Sequence, residues 1–212
     1  VLNTRVPSSD FSTVYFKTLV KGIASTTNTL SMFINVSESG VRINGVASVT
    51  AFDINANNGV VHVVDAVIGL PTIVTHALAN PNFTSLVGAL TSEGQPDFVG
   101  ILSGTANSPF TVFAPSNDAF ATFESQNPGT IASLTPSQLT AVLSYHVVAG
   151  ANVLSNAIPR GPITTFESGT FSITGTTITD EVARQTNIVA VDVQAANGVI
   201  HVIDNVILPD LD

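Results

Sequence analysis

The sequence predicts an α+β fold, a twisted β-wedge or β-sandwich with a flanking layer of α-helices. Three observations predict it. A stretch at residues 53–68 recurs at 192–207 and reads as a β-hairpin each time. The segment between the two copies carries helix start signals and helical apolar stripes. Residues 164–178 are rich in Thr and Ile and alternate as strands do, with Gly169 and Gly175 at their turns.

The repeat is the strongest of the three. DINANNGVVHVVDAVI at 53–68 aligns without a gap on DVQAANGVIHVIDNVI at 192–207, and Val49 and Ala51 answer Ile188 and Ala190 upstream. Asn58-Gly59 and Asn197-Gly198 stand between β-branched runs. An Asn-Gly pair favours a type I′ turn, in which both central residues take positive φ and the twist suits the flanking strands. The arms of the second hairpin are predicted at 188–195 and 199–208. Apart from His201, Asp204 and Asn205 the second arm is apolar on both faces, which predicts a strand covered from both sides.

The helical middle follows from stripes and caps. Residues 72–80 place Ile73, Val74, Ala77 and Leu78 on one helical face. Asn82 is predicted to cap a helix bearing Phe83, Leu86, Val87 and Leu90. Thr135 can cap, Pro136 is tolerated at the first helical position, and Gln138 can close a capping box; Leu139, Val142 and Leu143 then form a face that leads into Tyr145-His146. Residues 110–120 read as a buried strand, a Pro turn and a helix start, with Ser116 or Asn117 as the cap and Asp118 in the favourable first turn.

Composition limits the function classes. The chain of 212 residues is 44% hydrophobic and only 10% charged, which excludes a disordered chain. A net charge of -9 argues against nucleic acid and against a polybasic membrane contact. The charge is uneven. Up to Pro71, Asp10, Glu38, Asp53 and Asp65 balance Arg5, Lys17, Lys21 and Arg42, so the whole excess of acid falls after it, where Arg160 and Arg184 are the only bases. Cysteine is absent, so disulfides, thiolate ligands and cysteine nucleophiles are all excluded. The longest apolar run, 59–71, is interrupted by His62 and Asp65, and no membrane insertion is expected.

No catalytic set emerges. His201 with Asp204, or His62 with Asp65, and Ser116 as nucleophile would suggest a relay, but strand residues three apart point to opposite faces. No nucleophile-elbow pattern is present. The four histidines, His62, His76, His146 and His201, have no ligand spacing, and no Asp-rich calcium loop occurs, so neither metal nor cofactor is expected. Asn35-Val36-Ser37 and Asn82-Phe83-Thr84 match the N-glycosylation pattern.

Three segments resemble the fasciclin domain family: FTVFAPSNDAF at 110–120, LTAVLSYHVVAG at 139–150 and NGVIHVIDNVILP at 197–209. The resemblance implies a complete fasciclin-type domain over 72–212. It implies that residues 1–71, which carry only the last block as NGVVHVVDAVIGLP, are the C-terminal half of a first such domain, so that a larger natural protein is expected, either clipped or with another molecule supplying the missing elements. It also implies an extracellular adhesion or protein-interaction module that is secreted, cell-surface or periplasmic. The expected partner is a protein or glycan at a cell surface or matrix, and self-association is expected of half-covered units. Tyr145, His146, Phe113, Pro115, Asn117, Asn197, Gly198, His201 and Asp204 are the family-motif positions and so the candidate binding residues. They are expected to be largely structural, with His146 bonding backbone at the helix-to-strand exit. The exposed loops at 93–97 and 126–129 are further contact candidates. The alternative reading is a small-molecule or glycan-binding domain, less so a hydrolase, using a cleft between helices and sheet and lined by convergent polar groups.

Overall fold

The computed structural model describes residues 1–211. Two sheets and a helical layer make up the fold. The first sheet is an antiparallel meander of β1 (Val14–Lys21), β2 (Thr29–Ser37), β3 (Gly40–Ile43), β4 (Ala47–Ala56) and β5 (Gly59–Val64), in that order. Three helices follow: α1 (Ile73–Ala79), α2 (Thr84–Leu90) and α3 (Phe98–Ser103). The chain then forms β6 (Phe110–Pro115), α4 (Asn117–Gln126), α5 (Thr130–Ser133), α6 (Pro136–Tyr145) and β7 (Val147–Ala149). It ends with β8 (Pro162–Thr164), β9 (Thr170–Thr174), β10 (Thr177–Thr179), β11 (Gln185–Ala195) and β12 (Gly198–Ile203). The second sheet has the order β7-β6-β12-β11-β10-β9-β8, and β12 with β6 is its parallel pair.

The central pair β6–β12 is buried on both faces and separates two apolar clusters. On the helical side Phe110, Val112 and Ile200 meet Ile73, Phe83, Leu86 and Phe98. On the other side Phe113 and Ile203 meet Tyr145, Phe171 and Ile178. Each such buried side chain contributes about 1.5–3 kcal/mol relative to exposure. Local sequence chemistry places the helices. Thr72 with Thr75 and Thr135 with Gln138 form capping boxes at the starts of α1 and α6.

Three sequence expectations are corrected. The hairpin turns are not type I′. The ladders close at Ala56↔Gly59 and Ala195↔Gly198, so the loop residues are Asn57-Asn58 and Ala196-Asn197, and none of these has positive φ. The left-handed residues sit instead at a bulge in each long arm, Asp53 (φ 56°) and Asp192 (φ 61°), where a bulge raises the strand twist. The second arm ends at Ile203, not 208: Asp204 N still reaches the Asn187 carbonyl on β11 (3.1 Å), but beyond it N–H groups find side chains, as Val206 N donates to Asn205 Oδ1, Ile207 N to His146 Nε2 and Leu208 N to Asp180 Oδ2. Asn82 does not cap α2. Asn80 accepts from Asn82 N and caps a short 3₁₀ turn that begins at Pro81.

The first sheet lies against the second along β2 and β11. Lys17 Nζ donates to the Asp192 carbonyl (2.6 Å), Gln194 N to Ser31 Oγ (3.0 Å) and Asn28 Nδ2 to Gln194 Oε1 (3.0 Å). The tip of the second hairpin is held from two directions, as Ala24 N donates to the Ala196 carbonyl (3.0 Å) and Ala196 N to the Pro71 carbonyl (2.7 Å).

Candidate functional site

The motif residues converge on the buried β6–β12 pair and its two exits. β6 turns into α4 at Pro115, where Ser116 Oγ accepts Ala119 N (3.1 Å) and caps the helix. Asn117 ties α4 to α2: its Oδ1 accepts Thr84 Oγ1 (3.2 Å) and Ser85 N (3.0 Å), and its Nδ2 donates to the Pro81 carbonyl (2.9 Å). The Phe113 ring meets Phe171 edge-on at 5.0 Å and stacks on His201 at 5.4 Å.

At the end of α6, Tyr145 and His146 are both buried. The Tyr145 hydroxyl donates to the Thr170 carbonyl (2.7 Å) and accepts Glu181 N (3.1 Å), and burial raises its pKa. His146 Nδ1 lies 2.7 Å from the Val142 carbonyl, which can only accept, so Nδ1 carries the proton. Nε2 is then free to accept Ile207 N at 3.2 Å. Burial pulls this imidazole down to about 4, and it is neutral at physiological pH. The ring joins α6 to the chain after β12.

The hairpin residues are equally committed. Asn197 Oδ1 accepts Ile73 N (3.0 Å) and its Nδ2 donates to the Leu102 carbonyl (2.7 Å), so one side chain holds the start of α1 and the end of α3. Gly198 is required by close approach: a Cβ there would collide with the Phe110 carbonyl oxygen and lie 2.7 Å from Ile73 Cδ1. His201 Nε2 bonds the Val153 carbonyl (2.8 Å), and burial lowers its pKa. Asp204 accepts Asn187 N (2.7 Å) and Asn187 Nδ2 (3.1 Å). Ser116, His201 and Asp204 thus have separate partners and form no relay.

Two residues at this centre went unmarked by sequence reasoning. Asp192 accepts Ser155 N (2.8 Å) and Ser155 Oγ (2.6 Å), and in the first copy Asp53 accepts Ser8 N (2.9 Å) and Ser8 Oγ. Gln194 links Asn28 and Asn152 and donates to the Gly198 carbonyl (2.8 Å). The signal for the aspartates was present, since Asp53 and Asp192 open the two repeated stretches.

The two copies differ in what lies against them. Ile200 is 1% exposed, while Val61 at the matching position is 51% exposed; Val193 is 5% exposed and its match Ile54 49%. Helices cover the second copy's face, and the first copy's face is bare. The groove between α1, α2 and α3 is lined by Ile73, Leu78, Phe83, Val87 and Phe98, with Thr91 as its one polar side chain. Of the sequons, Asn35 is half-buried on β2 and accepts Thr13 Oγ1 (3.4 Å), while Asn82 is exposed. The loops at 93–97 and 126–129 are largely exposed. Among the described residues no three His, Asp or Glu side chains come together as a metal site, and no helix is long and apolar enough to cross a membrane.

The sequence profile of the fasciclin domain matches residues 1–71 and 81–209. The chain is 38% identical over 146 residues to protein sll1483 of Synechocystis sp., covering 66% of this chain and 74% of that protein. It is 31% identical over 130 residues to the immunogenic protein MPB70 of Mycobacterium bovis, covering 61% of this chain and 65% of MPB70. It is 29% identical over 194 residues to human periostin, covering 89% of this chain but 22% of periostin. The fold is similar to that of a FAS1 domain pair from the insect cell adhesion molecule fasciclin I, with a TM-score of 0.62 and 19% identity over 100% of this chain and 77% of that one. With both of its repeated hairpins inside the matched segments, this chain belongs to the fasciclin domain family.

Proposed function

We propose that this chain is an extracellular protein-interaction module of the adhesion type. In this reading residues 1–71 are the C-terminal half of a first fasciclin-type domain and 72–212 a complete second one. It acts in a secreted, cell-surface or periplasmic setting, and its partner is a protein or glycan at a cell surface or matrix. The observation that carries the reading is that the family-motif side chains are used to tie helices to strands, Asn117 to α2, His146 to the chain after β12 and Asn197 to α1 and α3, so that the fold offers surface and not an assembled reactive set. Family membership supports the same reading. The α1–α2–α3 groove offers a glycan almost no polar contact, which favours a protein partner.

The test is binding of the labelled chain to the surface of its source cells across salt concentrations. Saturable binding is expected. No saturable binding by the folded chain sinks the reading.

A further inference from the structure

We propose that His76 makes the joint between the first sheet and α1 releasable by acid: when its ring takes a proton, β1 and β2 part from α1 and β11 while the β6–β12 pair stays folded. This goes beyond the interaction reading above and does not depend on it. α1 sets His76, Ala79 and Asn80 against the first sheet. Asn80 Nδ2 donates to the Tyr15 hydroxyl (3.1 Å), the His76 ring meets the Tyr15 ring edge-on at 5.4 Å, and a Cβ added at Gly45 would lie 3.1 Å from Ala79 Cα. Across the same joint Lys17, Asn28 and Ser31 bond to β11.

His76 stands apart from the other histidines. His62, His146 and His201 each place a ring nitrogen on a backbone carbonyl. His76 is fully buried, and neither of its nitrogens has a hydrogen-bond partner among the described residues. Buried polar groups are normally paired, and a phenyl ring would fill the same space without leaving two polar atoms unmet. Packing alone therefore does not account for an imidazole at this position.

The surroundings offer a charged ring no counter-ion. α2, α3, β2 and the 3₁₀ turn at Pro81–Phe83 bring no ionisable side chain to α1, and residues 44–46 beside Ala79 are uncharged. On β12, His201 stacks on Phe113 in the other apolar cluster. On β11, the Asp192 carboxylate is occupied by Ser155, and the Gln194 backbone, which favours a proton on the ring, forms no hydrogen bond with it. On β1, the Tyr15 hydroxyl is taken by Asn80, Lys17 repels a second cation, and Lys21 at the exposed end adds more positive charge. An imidazolium here gains hydration only if α1 and the first sheet part. Burial holds the ring down to about 4, against 6.5 in water. The closed joint thus refuses a proton that the open joint takes, so this hold is fully present above about pH 6.5 and is lost as pH falls towards 4. Between pH 7.5 and 4.5 these values raise the opening constant by about 70-fold.

The test is native-state hydrogen exchange by NMR on the full chain at pH 7.5 and 4.5, expressed as protection factors so that the pH dependence of intrinsic exchange cancels. The amides of Ala24 and Gln194 bond across the joint, to the Ala196 carbonyl and Ser31 Oγ, and report its opening. Their protection should fall at least tenfold at pH 4.5 in the parent and less than threefold in His76→Phe. At pH 4.5 the amides of Phe110 and Phe113, bonded to Asn197 and His146, should stay at least tenfold better protected than these two. Equal losses in parent and variant overturn the proposal, as does exchange of all four amides at one common protection, which marks global unfolding. A titration of the His76 ring nitrogens decides the matter on the parent alone if His76→Phe does not fold. The ring should charge over the pH range in which Ala24 and Gln194 lose protection; a ring that stays neutral while they open, or charges while they stay protected, overturns the proposal.

Discussion

Replacing His146 by leucine should flatten the dependence of stability on acid. The native imidazole is buried and held down to about 4, against 6.5 for an exposed one. Between these values the unfolded chain binds a proton that the native chain does not, so stability rises with pH there. The contribution is fully present above about pH 6.5 and is lost as pH falls towards 4. At 1.36 kcal/mol per pKa unit, the window is worth about 3 kcal/mol, most of it lost by pH 4.5. His76 is buried beside Tyr15 and pulled down to about 4, also by burial, but it is present in both proteins and cancels in the comparison. Urea unfolding at pH 7.5 and 4.5 measures the effect. The His146→Leu protein should lose about 2–3 kcal/mol less than the parent between the two pH values. It should also start about 2–4 kcal/mol lower at pH 7.5, because the Val142 carbonyl and Ile207 N–H lose their partner. An equal loss in both proteins would refute a neutral, proton-refusing His146.

Two paired substitutions exploit the repeat. Gly198→Ala should destabilise by about 1–3 kcal/mol, as overpacking against the Phe110 carbonyl requires the strands to part, whereas Gly59→Ala should stay within about 0.5 kcal/mol. Thermal melting of both variants checks this, and equal shifts would show that the glycine serves the turn. Asn197→Ala should cost about 2–5 kcal/mol by stranding the Ile73 N–H and the Leu102 carbonyl, while Asn58→Ala at the exposed matching position should change little. Chemical denaturation of the two variants measures the difference.

Features set by neighbouring residues were legible in the sequence. The box at Thr135 and Gln138 lies within one helical turn, and the cap at Ser116 likewise depends on chain that follows at once. The duplicated hairpins were legible because the repeat states the same structure twice. What escaped depended on distant partners. The role of Gly198 is set by Phe110, far away in the sequence, so the Asn-Gly pair was read as turn chemistry. Beyond β12, Asn205, His146 and Asp180 take N–H groups that a longer ladder would have used. At Asn82 a competitor stood two residues upstream, and Asn80 with Pro81 captured the turn. Strand β1 went unmarked because it is largely exposed and shows no clean alternation of buried and open positions. The motif residues were found by position, but their work as ties between helices and strands became visible only with their partners.

The grip on Ala196 has a mechanical consequence. Its carbonyl is bound by Ala24 and its N–H by the carbonyl of Pro71, so the hairpin tip is clamped between the first sheet and the chain that leaves it. Tension drawn along the polypeptide cannot straighten the connection at Pro71 before these bonds part. It is passed instead to the β11–β12 pair, whose neighbours lie on both sides. The molecule therefore resists as a strut and not as two beads on a string. Its first yield under load would come at the clamp, at a force set by a few short hydrogen bonds and not by the slack of a linker.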